Sequence, residues 1–414
     1  MDSPSTRSRV LVLDTETTGL SGAARIVEIA AIEVAPRTGP VGPHLHHVVD
    51  PQVPIPAAVT RIHGIGDADV RGKPAFGSVA PGVAAYLRGA TIAIQNARFD
   101  CRILDAELAR AKQPTLRDLD VRVVDTLDIA RGVLPLLDGH SLDRVCDRVG
   151  VDRSARTLHG ALLDADLLAR TLPKLAAEYD AWRLAPDDGC SVELASFERA
   201  LAAVVADAEV PAVATPEEAD GAVGRAAAAL KLLRACESVL SGRAEALIDG
   251  AGWCCKHYAA RWVSSTTTAW KEAALAYLSP AELEGYRRES APVVLTAAGD
   301  DAFLRRHGGL ASMLDEQPIA SSIACAVRGL VAVRDATAAL EQRRADLRAL
   351  LLEGERAGYA PRNARIDRRP RATTDHRRAL SDLAPKADLT PYTDRTERLS
   401  IRRRDVSACR ALFG

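Results

Sequence analysis

VLVLDTETTG, residues 10–19, is the stretch on which the fold turns. An apolar run with the composition of a buried strand meets Asp14, Thr15 and Glu16, followed by two more threonines and a glycine. Side chains on a strand alternate with a period of two, so Asp14 and Glu16 point to one face. Carboxylates held together repel each other unless a cation lies between them. All-oxygen ligands suit hard cations such as Mg²⁺ or Mn²⁺. Thr17 and Thr18 add hydroxyls, and Gly19 permits close backbone approach to a ligand. Taken alone, such a pair reads equally well as turn or helix-cap acids.

More acids are placed to join it. QNARFD (95–100) puts Asp100 in the first turn of a helix that follows a strand, a position the helix dipole also favours. TLHGALLDADLL (157–168) offers His159 and Asp164 in an apolar run. Their separation is about 500° on a regular helix, so they do not share a face. His159 then belongs to a loop or first turn, free to swing toward whatever Asp164 holds. That suits a general base, although an ordinary hydrogen-bonded histidine would look the same. Asp166 lies about 200° around the helix from Asp164 and reads as solvent-facing. Asp125, after a later strand, reads as an acid that orients its neighbours.

Around these residues strands and helices alternate. RVLVLD (9–14), RIVEIAAIEV (25–34), HLHHVVD (44–50), TIAIQN (91–96) and the start of VRVVDTLDIAR (121–131) read as strands. Residues 74–89 carry helical apolar spacing weakened by Gly and Pro, and residues 97–111 carry it cleanly. SLDRVCDRVG (141–150) opens on an N-cap serine and closes on glycine, and 159–179 is a long helix. The order predicts an α/β domain with a mixed sheet flanked by helices, over residues 1–183. Residues 184–221 read as a boundary and linker region. Residues 222–360 read as a mostly α-helical domain, whose stretch 326–358 is long enough for a helical hairpin or a coiled-coil arm. Residues 361–414 form an Arg-rich segment. From Arg362 to Arg404 it carries thirteen basic and six acidic side chains, a net +7 on a chain of net charge −1. That is either a footprint for phosphate backbones or a solvated face paired with the acidic remainder.

Aromatics are only 4% of the 414 residues, so the cores must be built mostly from Ala, Leu and Val. The eight cysteines, Cys190 among them, show no C-x-x-C spacing and read as free thiols of a reducing compartment. No apolar run approaches the roughly 20 residues that span a bilayer, and no secretory leader is visible. A soluble cytoplasmic protein is expected, with no membrane partner.

The ordered set D-x-E-T-T-G, N-x-x-F-D and H-x-x-x-x-D, with RIHGI (61–65) and RTLHGALLDADLLA (156–169), resembles the DEDDh branch of the DnaQ-like exonucleases. That is the family of the proofreading epsilon subunit of bacterial DNA polymerase III. The resemblance covers roughly residues 8–180 and implies a ribonuclease H-like fold. It implies that Asp14, Glu16, Asp100 and Asp164 hold two divalent cations, Mg²⁺ or Mn²⁺, which activate water and stabilise the leaving 3′ oxygen. His159 matches the general base. Thr17, Thr18, Gly19 and Leu20 match the segment that meets the 3′-terminal nucleotide, and His63 a position near it. Asn96 and Phe99 match supporting positions of the second motif, with Phe99 read as core. The implied reaction is 3′-to-5′ hydrolysis of single-stranded or frayed DNA to nucleoside 5′-monophosphates, in proofreading, repair or end-trimming. The alternatives are an exoribonuclease of the same chemistry, or a non-catalytic nucleic-acid-binding adaptor. A polymerase or other protein partner would dock through the C-terminal region. Oligomeric state and pathway are not written in the sequence.

Overall fold

The computed structural model describes residues 9–185, 192–209, 213–250, 252–297, 300–316, 322–368 and 370–414. Residues 186–191 of the expected boundary, with Cys190, lie outside the described residues. The chain divides into two compact units. One is Met1–Asp187 together with Arg403–Gly414, and the other is Asp188–Arg402.

The first unit is built on a five-stranded sheet of order β3-β2-β1-β4-β5. Its strands are β1 (Val10–Thr17), β2 (Ile26–Ala35), β3 (Gly39–Val48), β4 (Thr91–Ile94) and β5 (Arg122–Asp125). β1–β3 form an antiparallel meander, while β4 and β5 run parallel to β1. The helices are α1 (Ala57–His63), α2 (Asp67–Val70), α3 (Phe76–Leu87), α4 (Ala97–Arg110), α5 (Thr126–Val133), α6 (Leu142–Val149) and α7 (Ala161–Leu184). Helices cover both faces, so β1, β2 and β4 are buried almost throughout rather than alternately. Leu11, Leu13, Ile92 and Ile94 pack with Phe76, Val83, Ile103 and Leu104 of α3 and α4. Val12, Ala30 and Val124 pack on the opposite face with Ile129, Val145, Leu168 and Leu172 of α5–α7. A truncation such as Leu104→Ala in so closed a core costs roughly 2–5 kcal/mol. α6 starts and stops as its sequence suggests: Ser141 caps it by accepting the Arg144 N–H, and Gly150 ends it at φ +71°.

The last residues return to this sheet. The helix Ser407–Phe413 inserts Cys409 and Phe413 beside Ile129, Leu175 and Tyr179. Arg404 donates to the Gly132 carbonyl, and Arg37 to the Phe413 carbonyl. At Gly132 any Cβ would lie 2.3 Å from the Asp405 carbonyl oxygen, so only glycine admits the returning chain. The segment 361–414, expected as one Arg-rich piece, is thus divided: it contributes to the second unit up to Arg402 and to the first from Arg403.

The second unit is organised by two long helices, Pro216–Leu247 and Ile323–Arg356. Leu230, Leu233 and Leu240 of one share a core with Val327, Leu330 and Leu340 of the other. The stretch expected as a hairpin or arm is therefore one unbroken helix packed along its length. Part of the expected linker region is a helix as well: Val192–Ala208 adds Leu194, Phe197, Leu201 and Val204 to the same core. Arginines of the basic segment are partly committed here, Arg368 to Glu355 at 2.7 Å and Arg365 to Asp367 at 2.8 Å. The unit also carries a three-stranded sheet and two short antiparallel ribbons, Arg287–Ser290 with Arg371–Thr374 and Val293–Ala297 with Ala364–Arg368. Among the described residues no helix is long and apolar enough to cross a membrane.

Candidate active site

Parallel pairing brings the carboxyl ends of β1, β4 and β5 to one edge of the sheet. β1 delivers Asp14 and Glu16 to the face covered by α7, and Thr15 to the face covered by α4. α4 starts just past β4 and carries Asp100 in its first turn. Thr15 holds that carboxylate: its N–H and hydroxyl donate to Asp100 Oδ1 at 3.1 and 2.6 Å. α7 carries Asp164 in its first turn. His159 lies outside the helix, as its spacing requires, and is half-exposed. Its backbone N–H donates to the Ile62 carbonyl, which ties the loop to α1. Nδ1 of His159 lies 3.2 Å from Asp164 Oδ2. Ligand atoms of Glu16, His159 and Asp164 all fall within 4.8 Å of one another.

The acids influence each other strongly. Burial, then Asp100, Asp164, Glu16 and Glu28, raise Asp14 well above the usual carboxylate range. Burial, then Asp164, Glu28 and Asp100, push Glu16 up to about 8, against a pull downward from Arg156. Burial pushes Asp100 up to about 6, although the hydrogen bonds from Thr15 pull it down. Carboxylates so crowded hold protons that a divalent cation would displace. An all-carboxylate oxygen set with one imidazole at its rim fits a hard cation such as Mg²⁺ or Mn²⁺.

The other anticipated residues line the same edge. Thr17 donates its hydroxyl to the Gly19 carbonyl, and Thr18 accepts the Arg25 N–H, which fixes the turn after β1. Leu20 stands 78% exposed, a large apolar side chain with no core to occupy. His63 is buried, accepts the Ile65 N–H at Nδ1 and faces the Thr17 carbonyl through Nε2 at 3.3 Å; burial lowers its pKa. Asn96 is exposed in the left-handed region at φ +61°, and its N–H donates to Asp125. Phe99 packs partly buried on the α4 core. Asp166 pairs with Arg170 at 2.8 Å, away from the cluster.

Two residues here escaped the reading of the sequence. Arg156 is buried and binds Asp164 and Asp143 at once. Glu28 is 8% exposed and lies opposite Glu16 in the β1–β2 ladder. For Glu28 the signal was a charge inside the apolar stretch RIVEIAAIEV, whereas Arg156 stands in the polar run DRSARTLH, where nothing singles it out.

The exonuclease family model matches residues 11–172, the segment that builds this sheet and site. The chain is 41% identical over 168 residues to the DNA polymerase III subunit epsilon of Pasteurella multocida, covering 39% of this chain and 66% of that one. It is 40% identical over 164 residues to the same subunit of Rickettsia prowazekii, covering 39% and 71%. The chain thus spans about two thirds of the length of these curated relatives. A solved structure of Exonuclease X in complex with 5′ overhanging duplex DNA matches at 27% identity, covering 41% of this chain and 91% of that one, with a TM-score of 0.33. This chain belongs to the exonuclease family. Its fold in that region is a mixed five-stranded sheet flanked by helices.

Proposed function

We propose that this protein is a metal-dependent 3′–5′ exonuclease that removes nucleoside 5′-monophosphates from single-stranded or frayed DNA, in proofreading, repair or end-trimming. The observation that carries this reading is the convergence of four carboxylates and a histidine from three distant segments on one sheet edge. Asp14, Glu16, Asp100 and Asp164 would hold two divalent cations. When bound, those ions supply electrophilic stabilisation to the attacking and leaving oxygens of an in-line displacement. His159 takes the proton of the attacking water from its half-exposed place beside Asp164. The Thr17–Leu20 turn, with His63 beneath it, receives the terminal nucleotide, and exposed Leu20 offers its base an apolar contact. Asn96 borders the path of the strand. The epsilon relatives make DNA the favoured substrate and a polymerase a reasonable partner, with the second unit as the docking module.

The deciding experiment is a time course on 5′-labelled single-stranded DNA and RNA of one sequence, with Mg²⁺, Mn²⁺ or EDTA, beside Asp14→Ala. A ladder shortening from the 3′ end, faster on DNA, lost in EDTA and in the variant, is expected. Faster loss of RNA would reassign the substrate. No cleavage of either would leave a binding scaffold.

A further inference from the structure

Glu28 is a buried acid in an unfavourable place. It sits on β2 opposite Glu16, and its charge helps to raise both Asp14 and Glu16. A carboxylate there needs compensating partners. Both of its oxygens have one. Oε1 pairs with His46 Nε2 at 2.7 Å, and Oε2 accepts the Ala161 N–H at 2.8 Å.

Ala161 is the first residue of α7. The residue before it, Gly160, has no side chain with which to cap the helix. The leading N–H groups of a helix lack intrahelical acceptors and carry the positive end of its dipole. Glu28 reaches across from the sheet and satisfies one of them. His159 stands two residues before this hydrogen bond and Asp164 three after it. Two members of the Glu16–His159–Asp164 cluster therefore ride on the turn that Glu28 grips. A local cap such as serine would have stabilised the helix start without fixing it to β2. α4, the other helix that carries a site acid, shows the same device. Its start has no side-chain cap of its own, and Asp125, at the end of β5, accepts the Asn96 and Ala97 N–H groups at 3.0 and 3.1 Å.

We infer that Glu28 is a positioning residue: by capping α7 from β2 it sets Asp164 and His159 against Glu16 at the spacing a divalent cation requires. This deepens the exonuclease reading and rests on it for the part that concerns turnover. Partners that orient metal ligands typically govern about 10–100-fold in metal affinity or activity.

The test uses the full chain, with Mn²⁺ titrated calorimetrically in the absence of nucleic acid, melting followed in EDTA, and steady-state kinetics on labelled single-stranded DNA. Glu28→Ala is expected to weaken Mn²⁺ binding by about tenfold or more and to lower kcat by a similar factor, with KM nearly unchanged. Glu28→Gln keeps an acceptor for Ala161 and is expected to stay within about threefold of wild type. The discriminating variant is Glu28→Ala combined with Gly160→Ser, which gives α7 a local cap. A Cβ at Gly160 meets nothing closer than 3.8 Å, so the serine fits. This double variant is expected to regain the melting temperature but not the Mn²⁺ affinity. Recovery of both would reduce Glu28 to a helix cap and overturn the inference. Wild-type Mn²⁺ affinity in Glu28→Ala would overturn it too, as would a tenfold loss in Glu28→Gln if the alanine variant does not fold. If the wild type hydrolyses nothing while the Mn²⁺ pattern holds, the exonuclease reading fails and the positioning role stands.

Discussion

Arg156 holds Asp164 by both oxygens, Nε on Oδ1 at 2.5 Å and Nη2 on Oδ2 at 2.6 Å. The same guanidinium reaches Asp143 at 2.5 Å and His159 Nδ1 at 2.7 Å. Both side chains of the central pair are 7% exposed. Planar bidentate contact of this kind is what arginine offers and lysine does not. Arg156 therefore supplies, without any metal, the positive charge that the acid cluster lacks, and it anchors the carboxylate by both oxygens.

Removing one partner of a buried pair leaves the other charge uncompensated, which costs about 3–5 kcal/mol. Arg156→Ala is expected to lower the melting temperature in EDTA by roughly 10 °C, taking about 2–4 °C per kcal/mol for a unit of this size. Mn²⁺ should raise the melting point of the variant more than that of the wild type, because it substitutes for the lost cation. Equal melting temperatures for the two proteins in EDTA would contradict this assignment.

Proton occupancy makes stability depend on pH in a definite direction. Glu16 is pushed up to about 8 and Asp100 to about 6, whereas unfolded carboxyls titrate near 4. Between about pH 4.5 and 8 the folded, metal-free unit binds more protons than the unfolded chain, so its stability falls as pH rises through that window. Melting in EDTA should move downward from pH 5.5 to 8, and Mn²⁺ should erase most of the trend. Glu16→Gln removes one of these raised acids. At pH 8 it is expected to melt about 3–6 °C higher than wild type in EDTA, roughly 1–2 kcal/mol, while losing metal binding and hydrolysis. A melting temperature in EDTA that climbs with pH would refute the account.

Thr15→Val deletes the hydroxyl bond to Asp100 and keeps the side-chain volume. Losing that bond costs about 1–2 kcal/mol. Asp100 also loses a contact that pulls its pKa down. The acid limb of the hydrolysis profile should shift to higher pH, with the alkaline plateau nearly intact. An unshifted limb would mean that Asp100 does not control it.

Leu20→Ala tests the apolar contact at the site mouth. Its side chain touches no core, so melting should be unchanged. KM for single-stranded DNA should rise about 5–10-fold, in line with about 1 kcal/mol for a lost apolar contact, with kcat and Mn²⁺ affinity untouched. A loss confined to kcat would point instead to a role in the chemistry.

Deleting residues 403–414 removes Val406, Cys409 and Phe413 from the α5–α7 core. The expected result is a drop of several kcal/mol in stability, as for multiple core truncations, with exposure of Ile129 and Tyr179 detectable by dye binding. A nuclease unit with unchanged melting would show the returning helix to be ornamental.

Much of the site was legible because its parts are local. Asp14 and Glu16 announce themselves by strand alternation, and His159 by a spacing that forbids a shared helix face with Asp164. Glu28 was hidden for the same reason that it works. Within RIVEIAAIEV an isolated acid reads as a polar point on a strand, and only the β1–β2 register sets it opposite Glu16. Arg156 was hidden because its partner lies eight residues away across a loop, where no helical or strand period applies. α3 forms over twelve residues despite Pro81 and an internal glycine pair, because burial of Phe76, Val83 and Leu87 outweighs their weak propensity. The return of Ser407–Phe413 is a contact between residues some 230–280 positions apart, which no local pattern encodes.

That return also has a consequence in time. About 215 residues separate Asp187 from Arg403, and at roughly 5–20 residues per second a ribosome needs about 10–40 s to make them. Throughout that interval the nascent sheet waits with the seat of Phe413 and Cys409 empty. Its apolar lining, with Ile129, Leu175 and Tyr179, stays uncovered until the helix Ser407–Phe413 arrives.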